Sequence, residues 1–208
     1  EDGSIDTEKT TTTVSEEGVL LVEDTITSVK ISKVDIADGK ELEGATIQLI
    51  DKETGEVVEE WTSTNKAHEV TGLTTGKTYI LRETVAPEGY SITSDTTFEL
   101  KEDGSIDTEK TTTTVSEEGV LLVEDTITSV KISKVDIADG EELEGATIQL
   151  IDKETGEVVE EWTSTNEAHE VTGLTTGKTY ILRETVAPEG YSITSDTTFE
   201  LKEDGSID

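Results

Sequence analysis

Three ionisable side chains in this 208-residue sequence fall where strand alternation puts apolar ones. In "YILRETVAPEGY" (79–90), Tyr79, Leu81, Glu83 and Val85 share one face, so a carboxyl sits among a Tyr, a Leu and a Val. In "VKISKVD", Val29, Ile31, Lys33 and Asp35 share a face, and in "VLLVEDTI" the set is Leu121, Val123, Asp125 and Ile127. Glu124 falls on the opposite and less uniformly apolar face, with Val120, Leu122 and Thr126. A lone charge on an apolar face usually reaches for solvent at a rim. Three of them on inward faces of three strands must pair or neutralise, because a buried unpaired charge is costly.

A structural ion triad is one outcome, and a covalent bond is the other. Burial favours a neutral amine and a protonated carboxyl, and a neutral amine is a nucleophile. Attack of Lys33 on the carboxyl carbon of Asp125 would form an amide and expel water. Glu83, held between them, could polarise the carbonyl and carry protons as general acid and base. Positioning alone can supply about 7–11 kcal/mol toward such a barrier. One turnover is all that is needed, so this is autocatalysis and not an enzyme activity.

The elements that must position these residues belong to a repeat. "EDGSID" recurs at 1–6, 102–107 and 203–208, a period of 101 residues. Aligned copies differ only at Lys40, which becomes Glu141, and Lys66, which becomes Glu167. Within a period the alternating runs "VKISKVD", "ATIQLID", "EVVEEWTS", "HEVTGL", "TYILRETV", "TTFELK" and "VLLVEDTIT" are separated by turn signals such as "ADG", "KETGE", "TTGK" and "APEGY". About seven short strands at this spacing predict all-β sandwich modules. The Thr-rich "DTEKTTTTVSEEG" (107–119; 6–18 is its copy) reads as a loop and an edge strand. The frame gives a complete module over 29–128. Residues 1–28 are then the closing strand of a preceding module, and 129–208 is a body lacking its closing strand. Lys134 and Glu184 repeat the first two positions of the triad, and Asp24 repeats the third.

Composition narrows the function. Sixteen basic against 49 acidic residues leave a net charge of −33, which excludes a phosphate-backbone binder and disfavours anionic membranes. There is no cysteine, hence no disulfide, thiolate metal site or Cys nucleophile, and no Met at position 1, so the chain reads as starting inside a longer protein. No apolar run reaches the roughly 20 residues of a membrane span. "DIADG" and "KEDGSID" lack EF-hand spacing and read as turns, so no metal or cofactor is expected. His68 and His169 read as surface residues, and Trp61 and Trp162 as core packing. A hydrolase built on Glu83 and Asp125 would lack a nucleophile elbow, Gly-rich loop or metal cluster.

"KISKVD", "ELEGATIQL", "GLTTGKTYILRETVAPEGY", "TTFELKEDG" and "LLVED" resemble, in order, the B-type repeat of collagen-adhesin-like surface proteins, the CnaB or SpaA-type pilin domains of Gram-positive bacteria. The resemblance covers nearly the whole period, and "ExxAPxGY" is its most specific part. It implies tandem Ig-like (CnaB-type) β-sandwich modules whose first-strand lysine forms an isopeptide bond to an Asn or Asp of the last strand, assisted by the Glu before "APxGY". The lysine is then Lys33, the Glu is Glu83 and the partner Asp125, with Glu124 as its neighbouring alternative. In the second copy the corresponding Lys134 and Glu184 would receive Asp24 from another copy, head to tail, or belong to a longer array. The resemblance further implies a stalk or fibre on the bacterial cell surface or cell wall. The alternative is an adhesin module binding a host or matrix ligand.

Overall fold

A computed structural model describes residues 12–208, so the part of the first segment that precedes Thr12 lies outside the described residues. The order is β1 (Thr13–Val14), β2 (Leu20–Leu21), β3 (Ser28–Asp35), β4 (Thr46–Asp51), β5 (Val57–Thr62), β6 (His68–Thr71), β7 (Thr78–Val85), β8 (Thr96–Glu99), β9 (Thr114–Val115) and β10 (Leu121–Asp125). It continues with β11 (Ser129–Ile132), β12 (Thr147–Asp152), β13 (Val158–Thr163), β14 (His169–Thr172), β15 (Thr179–Val186) and β16 (Thr197–Glu200). The described residues form no helix, and the all-β expectation holds.

Strands β3 to β10 make two four-stranded sheets, ordered β6-β3-β10-β9 and β5-β4-β7-β8. β3 and β10 run parallel, with Leu121 opposite Ile31, Val123 opposite Lys33 and Asp125 opposite Asp35. The rest of the pairings in these two sheets are antiparallel. A parallel pair needs a crossover, and here the crossover is nearly the whole module. Between the sheets lies a core that includes Val29, Ile31, Ile47, Leu49, Tyr79, Leu81, Phe98, Leu121 and Val123.

Alternation places Tyr79, Leu81 and Glu83 inward as read from the sequence, but Val85 points out and is exposed. The cause is a register shift between Thr46 and Ile47: Ile47 faces Glu83 while Thr46 faces Val85. Thr84 is therefore the extra residue of a bulge, which turns the strand end over. His68 is also less peripheral than expected. Its ring stacks on Trp61 at 4.4 Å, and its Nε2 lies 2.6 Å from Glu59 Oε1. Trp61 is on the edge strand of one sheet and His68 on the edge strand of the other, so the pair closes that side of the sandwich. Trp162, His169 and Glu160 repeat it.

The second period builds its β13-β12-β15-β16 sheet in full, whereas β11 pairs only with β14. β11 stops at Ile132, while β3 runs on to Asp35. Where β10 supplies ladder partners for the far half of β3, nothing among the described residues pairs with residues 133–136 in the same way. Val34 is 4% exposed and its counterpart Val135 is 42% exposed. At the other end, β1 and β2 form a two-stranded ribbon matching β9 and β10, without a sheet to join.

Leu121 is fully buried and its copy Leu20 is 52% exposed. Leu121→Ala should therefore destabilise the chain by about 2–5 kcal/mol, and Leu20→Ala, in dilute monomer, by less than about 0.5 kcal/mol. Urea denaturation of both variants measures the contrast.

Candidate functional site

β3 carries Lys33, β7 carries Glu83 and β10 carries Asp125, and the two sheets bring them together inside the sandwich. Lys33 Nζ contacts Asp125 Oδ1 and lies 3.0 Å from Glu83 Oε1, and none of the three side chains has any exposed surface. β10 alternation decides the partner. Asp125 points in, while Glu124 points out and its Oε2 accepts a hydrogen bond from Thr114 Oγ1 at 2.6 Å. The structure thus brings Asp125, and not Glu124, to the lysine.

Two carboxyl oxygens here, Glu83 Oε1 and Asp125 Oδ2, are buried without a hydrogen-bond partner. A proton on either carboxyl turns an orphaned acceptor into a donor, and the electrostatics favour one. Burial pushes the Asp125 carboxyl up to about 7, against the pull of the nearby lysine, and the Glu83 carboxylate pushes the same way as burial. A protonated carboxyl is the form an amine can convert to an amide, because its leaving group departs as water rather than as oxide.

Two groups that alternation could not reveal hold the arrangement. The Thr93 backbone N–H donates to Glu83 Oε2 at 2.9 Å, which leaves Oε1 turned to Lys33. Tyr90, the last residue of "APEGY", donates its hydroxyl proton to Asp35 Oδ2 at 2.8 Å over the end of the β3–β10 ladder. Burial and Asp35 push the Tyr90 hydroxyl up to about 12, so it stays a donor. The motif's tyrosine was a signal for this role; a backbone N–H has none.

In the second period Lys134 Nζ lies 3.2 Å from Glu184 Oε1, and Thr194 N–H holds Glu184 Oε2 at 2.7 Å. Lys134 is 16% exposed along its side chain and Glu184 only 2%. A cavity of about 100 Å³ lined by Lys134, Ile148, Leu182 and Glu184 opens beside the pair. Asp24 does not approach it. It lies beyond β2 in the N-terminal ribbon and is exposed.

Fold and site place the chain among tandem prealbumin-like β-modules. Residues 27–114 and 128–208 each match the sequence profile of the SpaA prealbumin-like fold domain, and the chain belongs to that family. The second match includes Lys134 and Glu184, while the first ends before β10 and so stops short of Asp125. Among solved structures the chain is similar to the Bacillus anthracis TIE protein, at 27% identity and TM-score 0.45 over 88% of this chain and 32% of that one. A streptococcal ancillary pilin matches at 24% identity and TM-score 0.41, over 86% and 60%. Shaft pilin SpaA from Lactobacillus rhamnosus GG matches at 15% and 0.37, over 86% and 94%. The chain spans about a third of the Bacillus anthracis protein. A search of curated protein sequences found no match.

Lys33→Met leaves Asp125 buried without its cation. A carboxyl whose folded pKa lies above its unfolded value binds its proton more tightly when folded, so it removes stability as pH rises. The denaturation midpoint of Lys33→Met should fall as pH rises above 3.8 and go on falling past about 7, because the lysine that held the Asp125 carboxyl down is gone. The difference from Lys33→Met/Asp125→Leu, in which that group is gone, isolates the effect; parallel pH profiles would contradict it.

Proposed function

We propose that the chain is a structural module of a bacterial surface fibre or pilus shaft, locked by an amide between Lys33 and Asp125. The observation that carries this reading is the contact of Lys33 Nζ with Asp125, beside Glu83 Oε1, in a fully buried site. The neutral amine's lone pair attacks Asp125 Cγ, an N–C bond forms, and one Cγ–O bond breaks. Glu83 takes a proton from the nitrogen and delivers one to the departing oxygen, so one water leaves and Glu83 is restored. The product removes two buried ionisable groups, which gives the reaction a direction.

Mechanics follow from the parallel register. A pull that enters at the start of β3 and leaves at the end of β10 runs from Ser28 to Lys33, across the bond, and out past Asp125. The segment between the two bonded residues, which lie 92 positions apart, is bypassed. A link across a loop of that length stabilises by about 4–5 kcal/mol if it acts as a disulfide does. For a stalk, that is the property that matters: stretching the chain cannot peel the sandwich apart.

The ends of the chain are complementary in the same terms. Leu20 and Val22 are exposed in the N-terminal segment, and their copies Leu121 and Val123 are core residues. The second period exposes Val135, Ile137, Tyr191 and Ile193 around the open cleft beside Lys134. As a separate molecule, the chain can insert its Leu20–Ile26 segment beside β11 of a second copy and deliver Asp24 to Lys134 and Glu184. Such a contact is heterologous and does not close, so it extends into a filament.

Intact mass spectrometry should find the chain lighter than its sequence by one water per bond, and Glu83→Ala should lose none at the 29–128 module. An unchanged parent mass would reject the bond. Boiling in SDS should leave a ladder of chain multiples that Lys134→Met abolishes; monomer alone would reject the intermolecular link.

A further inference from the structure

The joint between the two periods is built almost wholly from backbone, and its two halves are repeated, open, at the chain's ends. In the joint, the Thr128 N–H donates to Gly89 O at 2.9 Å, and the Thr128 hydroxyl lies 2.6 Å from Leu174 O. Gly173 N–H donates to Thr128 O at 2.9 Å, Ser91 N–H to Thr126 O at 3.2 Å, and Ile92 N–H to Glu203 O at 2.9 Å. The "APEGY" loop that follows β7, with Ser91 and Ile92 after it, is therefore seated on the module's own closing segment at Thr126–Thr128 and, with that segment, on two turns of the next module, those after β14 and β16. Thr128 is buried as a result.

The fit is close enough that an added side chain would crowd it. A Cβ on Gly89 would stand 3.0 Å from Gly173 O and 3.2 Å from its Cα, and one on Gly205 would stand 3.2 Å from Ser91 Cβ. The same residues away from the joint are free. Gly190, the copy of Gly89 with a similar positive φ, is exposed and has nothing within 4 Å. Among the described residues Gly104, the copy of Gly205, meets only Thr27. At the N-terminal end the linker half is already in place: Gly72 N–H donates to Thr27 O at 2.9 Å and Thr27 Oγ1 to Leu73 O at 2.7 Å.

We propose that this backbone joint fixes successive modules at one orientation, and that its open halves, the 188–193 loop and the Thr27, Gly72 and Glu102–Gly104 face, are completed by a second copy of the chain. The second part rests on the head-to-tail reading above. The occupant is set by continuity: each open half is identical in sequence to one that is already mated within the chain. In the completed contact Thr27 N–H donates to Gly190 O of the neighbour and the neighbour's Ile193 N–H to Glu102 O, so the filament repeats the internal geometry at every joint. Inserting Asp24 into the neighbour's cleft carries Thr27 to the required place, since only two residues separate them.

The absence of cysteine makes the joint directly measurable. Spin labels on Lys66→Cys and Glu167→Cys, both exposed, should report one narrow distance distribution in dilute monomer. Gly89→Val should broaden and shift it, while Gly190→Val, which imposes the same backbone strain at a free loop, should leave it unchanged. A broad parent distribution, or equal effects of the two variants, would overturn the fixed joint whether or not the mass measurement finds the amide. Sedimentation over a concentration series tests the second copy. Gly190→Val should lower the fraction of head-to-tail multimers relative to the parent. If the parent multimerises and Gly190→Val matches it, the completed joint is wrong although strand exchange stands; a parent that stays monomeric removes both.

Discussion

A lysine and two carboxyls cannot remain as independent charges in the middle of a β-sandwich, and the rest of the structure follows from how that constraint is met. Desolvation penalises each ion by several kcal/mol, and mutual attraction compensates only where the geometry is close. The parallel pairing of β3 with β10 supplies that geometry. Its register puts Val123 opposite Lys33 and brings Asp125 in beside the amine. The Thr93 N–H then aims Glu83 at the same point. Every other element of the module can be understood as the means of returning β10 to β3 in that register.

Much of this was legible from residue types, because the strand period of two sorts side chains by face. Lys33, Glu83 and Asp125 stood out as charges among apolar neighbours, and Glu124 was separated from Asp125 by one step of the same period. Val85 was misplaced because a bulge at Thr84 inserts one residue into the count, and nothing in "RETVAP" announces a bulge. The stacking of His68 on Trp61 was missed for a different reason: the two strands are edges of different sheets, so their neighbourhood is a tertiary fact. The Thr93 contact was invisible because a backbone donor carries no residue signature. The hold of Tyr90 on Asp35 lay within a motif whose spacing is local but whose contact is made across the fold, 55 positions away.

The tandem arrangement adds a second level. One period shows what the sandwich becomes with its closing strand, and the other shows the same sequence without it. Lys134 keeps its Glu184 but gains solvent, β11 loses its far half, and Val135 comes to the surface. The difference is a direct comparison of one sequence in two strand environments. It locates the contribution of β10 in burial of the lysine and in ladder partners for β3, since the β13-β12-β15-β16 sheet forms either way. A net charge of −33 keeps copies apart except where backbone and apolar faces fit closely.

Tandem mass spectrometry of a protease digest bears most directly on the central claim that buried Lys33 and Asp125 become one amide under the influence of Glu83. The account predicts a branched peptide in which the Lys33 fragment is joined through its side chain to the Asp125 fragment, lighter by one water, with fragment ions that assign the branch to Asp125. Recovery of both fragments as linear peptides, or a branch that maps to Glu124, would contradict it.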